Sequence, residues 1–249
     1  SGGRARRGAA AAGGAGGGAG GRGVGPARRG PGAERARGRA EAIRASLAGL
    51  EKALELNDEA AIEDAINRIL LLHAMICSFG GIPLIYYGDE IATLNDYCYK
   101  GVQTKADDSR WLHRGHIDWQ RAERRHQRGS VEQRVFDGLK RMISLRKVIG
   151  AFADYNNRRL LPIANDHLFV FIRNHPQKSR EQVLVVANFD ARPQPLDLAC
   201  LARHGLFQYG QITDLLSGHA PVLSEDRLIV PPYHFYWLSE TPEGYGAPL

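Results

Sequence analysis

The chain has 249 residues, 43% of them apolar, and a formal charge of +6, which allows one or two domains with a real core. The charge is lopsided: residues 1–40 hold nine Arg and a single acid, Glu34, so they carry +8 and leave −2 for the other 209 residues. That near-neutral body excludes a whole-protein case for nucleic acid or membrane binding, and no run of about 18 apolar residues offers a membrane span. Cys77, Cys98 and Cys200 are odd in number, widely separated and without CxxC spacing. They argue against a zinc site or a disulfide framework and suit a reducing, cytoplasmic setting. No signal-peptide-like apolar stretch stands near the start, although secretion stays open.

Residues 1–44 come first, and fifteen of the first forty are Gly. Such a stretch has high backbone entropy and little to bury, so it is expected to be disordered, with a helix starting near Ala33. An Arg/Gly arm for RNA is one reading, weakened because the arm has no aromatic to stack on a base. The blander reading is an incidental tail, such as GC-rich DNA read in an unintended frame. From Ala45 the texture changes. "NDEAAIEDAINRILLLHAMICSFGG" predicts a helix capped by Asn57, with Asp58 and Glu59 in a first turn whose dipole favours anions. Ile62, Ala65, Ile66, Ile69, Leu70, His73 and Ile76 form its apolar stripe, and Gly80 and Gly81 stop it. His73 reads as a hydrogen-bonded core residue rather than a ligand.

"LIYY" follows as a buried strand entered through Pro83. A polar, irregular stretch spans 96–129. A second helix then opens at Ser130, with Gln133 completing a capping box and Val135, Phe136, Leu139, Met142 and Ile143 as its stripe. This rhythm is that of a parallel α/β structure over 45–150. Residues 151–240 change character: "HLFVFIRN", "QVLVVANF", "GQITDLLSG" and "DRLIVPPYHFYWLSE" are short strands between turn signals, predicting a small antiparallel β-sandwich. A tail occupies 241–249.

The chemistry-bearing stretch is "GGIPLIYYGDE". Asp89 and Glu90 suggest the paired carboxylates of a retaining glycosidase, which stand about 5–5.5 Å apart. Neighbours on a strand point to opposite faces, however, so the pair reads better as bracing a site: a carboxylate there can accept loop N–H bonds. Asp107 and Asp108 read as a solvated turn rather than a cation site, and "RRHQR" as a solvated face. Trp111 and Trp119 read as packing under the long loop rather than sugar platforms. Tyr233, Phe235, Tyr236 and Trp237 read as a half-buried strand, with a sugar strip as the sharper alternative.

"GGIPLIYYGDEIATLNDY" resembles the segment around the eighth barrel strand of the α-amylase superfamily, and "DDSRW" narrows the likeness to the amylosucrase family and its sucrose-hydrolysing relatives. The resemblance covers roughly 45–240. It implies the C-terminal remnant of a (β/α)₈ barrel, its last strand and flanking helices, followed by a β-domain. It implies sucrose and an α-glucan acceptor as partners of the parent enzyme, transfer through a covalent glucosyl-enzyme, and no metal or organic cofactor. The family's nucleophile, acid/base and third carboxylate find no match here, so no catalytic residue is assigned. Arg110 in "DDSRW" carries over as a substrate-binding residue at the floor of the glucose pocket, where a planar fork grips a carboxylate while facing sugar hydroxyls. On this reading the chain is a C-terminal fragment, inactive alone. Its β-domain should be folded, and its barrel remnant loose, with a bare strand and exposed helix stripes.

Overall fold

In the computed structural model, residues 48–178, 181–207 and 210–242 are described; the expected head over 1–44 and the end of the tail lie outside them. A short helix α1, Leu50–Glu55, leads into the long α2, Glu59–Ser78. Its cap is Asp58, whose side chain accepts the Ala61 N–H at 3.0 Å. Asn57, the expected cap, sits one residue earlier in the left-handed region at φ 52, a conformation Asn tolerates better than most. The stop is as expected: α2 ends at Ser78, and Gly80 takes φ 129. A Cβ on Gly80 would run into the Tyr155 carbonyl oxygen, so glycine is required there.

The expected apolar face of α2 is buried from Ile62 to Ile69, but further on it rotates. Leu71, Ala74 and Cys77 are buried, whereas Leu70 and Ile76 are only half-buried. His73 is fully buried, and its Nδ1 donates to the Ile69 carbonyl at 2.8 Å. It is a hydrogen-bonded core residue.

The expected strand at "LIYY" does not form; residues 82–86 belong to no helix or strand. The physical reason is the lack of a neighbour. A strand is stabilised by cross-strand pairing, and no described strand lies beside this one, so Ile82 is 82% and Leu84 78% exposed. After a stretch of 3₁₀ turns, α3, Trp119–Glu123, precedes α4, Val131–Val148. The α4 cap is a near variant of the expected box. Ser130 accepts the Gln133 N–H, and Gln133 reaches back to the Gly129 N–H rather than that of Ser130. Val135, Leu139 and Met142 are buried, with Phe136 and Ile143 at the margins. A Cβ on Gly138 would come within 2.6 Å of a Leu70 methyl, which marks the close crossing of α2 and α4.

The β region supplies β1 (Arg158–Leu160), β2 (Leu168–Asn174), β3 (Gln182–Asn188), β4 (Gln194–Asp197), β5 (Gly210–Asp214), β6 (Leu223–Ser224), β7 (Arg227–Val230) and β8 (Phe235–Pro242). A helix α5, Leu198–Arg203, follows β4. The strands build two antiparallel sheets, ordered β1-β2-β3-β8-β5 and β4-β7-β6. Side chains alternate across the larger sheet. Val170, Ile172, Leu184, Val186 and Leu238 meet Leu196, Leu228 and Val230 of the smaller sheet, which makes the expected sandwich. Phe171, Val183, Val185 and Trp237 point the other way and share one core with Ile66, Ile69, Val135 and Met142 of α2 and α4.

The larger sheet is therefore a middle layer, and two expectations fall with that. The helix stripes are not bare, because they are covered by each other and by the sheet. "YHFYW" is not a half-buried alternation: Tyr236 and Trp237 are both buried, since both faces of β8 are covered, and Tyr233 lies in the preceding turn.

Arg173 is the seam between the layers. It is fully buried, and its guanidinium donates to the Ser78 carbonyl at the end of α2, to the Asp154 carbonyl of the linker and to Asn157 Oδ1. Burial, helped by the Arg146 charge, pulls its pKa down to about 10, so it remains a cation at neutral pH. Arg173→Leu strands these acceptors, and each buried orphan costs about 1–3 kcal/mol. Urea unfolding is expected to show a loss of about 3 kcal/mol or more. The 77% exposed Val148 should tolerate Val148→Thr within about 0.5 kcal/mol.

Candidate functional site

The Gly-Asp-Glu turn follows the exposed apolar segment. Gly88 has φ 88, and a Cβ there would sit 2.6 Å from Thr93 Oγ1, so only glycine fits. Asp89–Ile91 form one 3₁₀ turn, ended by Ala92 in the left-handed region at φ 49. The Thr93 N–H closes the turn by donating to the Gly88 carbonyl at 2.9 Å. Asp89 Oδ2 accepts the Tyr86 N–H at 3.0 Å and lies 3.9 Å from His73 Nε2. His73 Nδ1 donates to the Ile69 carbonyl, and the Nε2 edge of its ring faces this carboxylate. Glu90 is half-buried beside it.

One hydrogen bond ties the long loop to this turn, and another closes the loop on itself. The Tyr87 hydroxyl donates to the Gly115 carbonyl at 3.2 Å, and the Asp96 N–H to the Leu112 carbonyl at 2.8 Å. On the inner side, Arg121 donates to the Ala92 carbonyl at 3.0 Å and to Glu132 Oε1 at 2.7 Å. Arg124 Nε lies 3.3 Å from the second Glu132 oxygen, and Glu132 is only 1% exposed. "RRHQR" is thus not wholly a solvated face, since Arg124, its first residue, helps to neutralise a buried carboxylate.

Arg110 does hold a carboxylate in a two-pronged grip, but its partner is its own neighbour. Nε reaches both Asp108 oxygens at 2.8 and 3.0 Å, and Nη2 reaches Oδ2 at 2.8 Å. Asp108 also caps the 3₁₀ turn Ser109–His113 by accepting the Arg110 N–H at 3.0 Å. These bonds hold the Asp108 carboxyl below its ordinary value. Trp111 is half-buried with Lys105 Nζ 4.1 Å over its ring. Trp119 does not pack under the loop; it is 72% exposed, carried outward at the first position of α3.

Among the described residues, no group of three His, Cys, Asp or Glu side chains could hold a metal ion, and no helix is long and apolar enough to cross a membrane. The arginines that fix this region, Arg121, Arg146 and Arg173, were not among the expected site residues. Period-two alternation could have found Arg173, because it shares the inward face of Phe171 within "LFVFIRN".

Residues 158–237 match the family of maltogenic amylase C-terminal domains. The likeness to these domains covers the β region alone. Among solved structures, the chain is similar to pullulanase complexed with maltotriose from Anoxybacillus sp. LM18-11, at 17% identity over 71% of this chain and 23% of that one, with a TM-score of 0.48. Trehalulose synthase MutB from Pseudomonas mesoacidophila MX-45 aligns at 18% identity over 70% and 38%, with a TM-score of 0.44. Pullulanase type I from Bacillus subtilis strain 168, complexed with maltose, aligns at 16% over 71% and 24%, at 0.48. The chain therefore spans 23% to 38% of the length of these three structures.

Replacing Arg110 with Gln is expected to raise the Asp108 carboxyl toward the ordinary value of about 3.9, read by carbon-detected NMR titration. The sign follows from the lowered native value: the pair stabilises the fold above the unfolded pKa, and that contribution is lost as pH falls through the native one. Asp89→Ala is expected to speed hydrogen exchange at the Tyr86 amide, while amides in the middle of α2 keep their protection.

Proposed function

We propose that this chain is the C-terminal part of an amylosucrase-like retaining transglucosylase. Its parent reaction moves glucose from sucrose to an α-glucan and releases fructose by double displacement, without metal or organic cofactor. The observation that carries this reading is the match of 158–237 to maltogenic amylase C-terminal domains, in a chain that carries the "GGIPLIYYGDE" and "DDSRW" stretches ahead of it. In this reading Arg110 belongs to the floor of the glucose pocket, while Asp89 and Glu90 brace the turn beside it. The geometry supports a bracing role, since Asp89 is turned to the Tyr86 N–H and the buried His73. Retention needs two carboxylates flanking the scissile bond at about 5–5.5 Å, and adjacent residues of one 3₁₀ turn are poorly placed to flank a sugar. The chain alone is therefore not a catalyst. A cytoplasmic setting belongs to the same proposal, supported by the free thiols Cys77, Cys98 and Cys200.

A second reading, a noncatalytic α-glucan-binding module, draws on the same match, because it covers the β-domain alone. One experiment addresses both. The purified chain is incubated with sucrose and glycogen, fructose is assayed, and glycogen retardation is followed in a native gel. No fructose is expected. Retardation by glycogen would favour the binding module, and turnover abolished by Asp89→Asn or Glu90→Gln would overturn the inactive-fragment reading.

A further inference from the structure

A cavity of about 240 Å³ lies between α2 and the turns that follow β3 and precede β8 in the middle sheet, lined by Ala48, Arg68, Leu71, Leu72, Phe189 and Tyr233. Its lining side chains are apolar apart from the Arg68 guanidinium and the Tyr233 hydroxyl. That cation is 4.5 Å above the Tyr233 ring. Among the described residues it makes no ion pair or hydrogen bond, and its Nε is shut off from solvent without an acceptor. A guanidinium cannot shed its charge by losing a proton, and a ring quadrupole compensates only part of what a missing anion would. Tyr233 is itself held in an unusual state: its backbone has φ 49, uncommon for a bulky side chain, and is pinned by its N–H donating to the Asp190 carbonyl at 3.1 Å. Strain of this kind gathers at ligand sites, and here it presents the ring to the cation.

We propose that this cavity binds a small apolar carboxylate, with the carboxylate accepting from the Arg68 guanidinium and the hydrocarbon lying between Leu71, Leu72, Phe189 and the Tyr233 ring. The chemistry separates this class from its rivals. A phosphate would leave most of its oxygens against leucines. A sugar needs several polar partners for its hydroxyls, and the lining side chains offer one cation and one phenol hydroxyl. At 240 Å³ the space lies below the lower end of about 300 Å³ usual for drug-sized ligands, which suits one ring or a short chain. This inference does not depend on the glucosyl-transfer reading.

The test titrates benzoate into the full chain, followed by ligand-observed NMR and calorimetry. Saturable binding is expected, with benzyl alcohol, the same ring without the charge, at least about tenfold weaker. Arg68→Gln should weaken benzoate by a similar factor while leaving the circular dichroism spectrum unchanged. The comparison of benzoate with benzyl alcohol uses the unmodified chain and stands even if that variant misfolds. Absence of saturation up to about 10 mM, equal binding of the alcohol, or sulfate binding as tightly as benzoate would each overturn the proposal. Maltose displacing benzoate would overturn it too, and would give the cavity to a glucan. Failure of the fructose prediction above leaves these outcomes untouched.

Discussion

The end of a long helix leaves carbonyls that need donors, and in this chain those at the end of α2 are met by two arginines from different layers. Arg146, on α4, donates to the Cys77 and Gly81 carbonyls, and Arg173, on β2, donates to the Ser78 carbonyl. The position is favourable for cations because the helix dipole is negative there. It also buries the Arg173 guanidinium, and that burial, with the like charge of Arg146 nearby as a smaller contribution, lowers its pKa to about 10 even though its donors are satisfied. Three elements remote in sequence thus meet at one helix terminus, and the direction in which the chain leaves α2 is set there.

That exit direction governs the rest of the candidate site. Beyond Gly81 the chain runs along the surface with little to hold it until Asp89 folds back onto the Tyr86 N–H and His73. The turn is therefore pinned at both ends: by guanidinium groups where it leaves the helix, and by a carboxylate backed by a core histidine where it closes. Arg121 adds a third anchor at the Ala92 carbonyl and needs the buried Glu132 to stay in place. Ala48 and Leu50, at the other end of the helical layer, join the same apolar core as Phe171 and Trp237. Helices and sheet consequently share one packed core.

Much of this was legible in the sequence, and the failures have physical causes. Both long helices and the main strands were readable because their apolar spacing is strong and their ends carry cap residues and paired glycines, although the first cap fell on Asp58 rather than the expected Asn57. The sandwich was readable from short apolar runs between turn signals. What could not be read was which surface covers the outer face of the middle sheet, because a strand covered on both faces and one covered on a single face differ little over four residues of "YHFYW". The strand at "LIYY" was misread for a related reason. Its residues have the right propensity, but propensity stabilises nothing without a partner for the peptide groups. Arg110 was legible as a carboxylate-gripping arginine; the identity of its partner, two residues away, was not, because spacing alone cannot tell a local fork from a long-range one.

The same partner argument explains the character of residues 82–87. Ile82 and Leu84 face solvent while Ile85 packs against the helical core, so the segment shows its apolar alternation to the outside. An extended apolar stretch with unpaired peptide groups is what proteins usually blunt with charge, proline or a covering element. Here only Pro83 interrupts it, and there is no charged side chain from Gly80 to Gly88. Its neighbours offset the hazard by rigidity rather than by polarity, since the Arg146 bonds before it and the Asp89 bond after it leave few residues free to reach another chain. Loosening either anchor would therefore lengthen the stretch of unpaired apolar backbone.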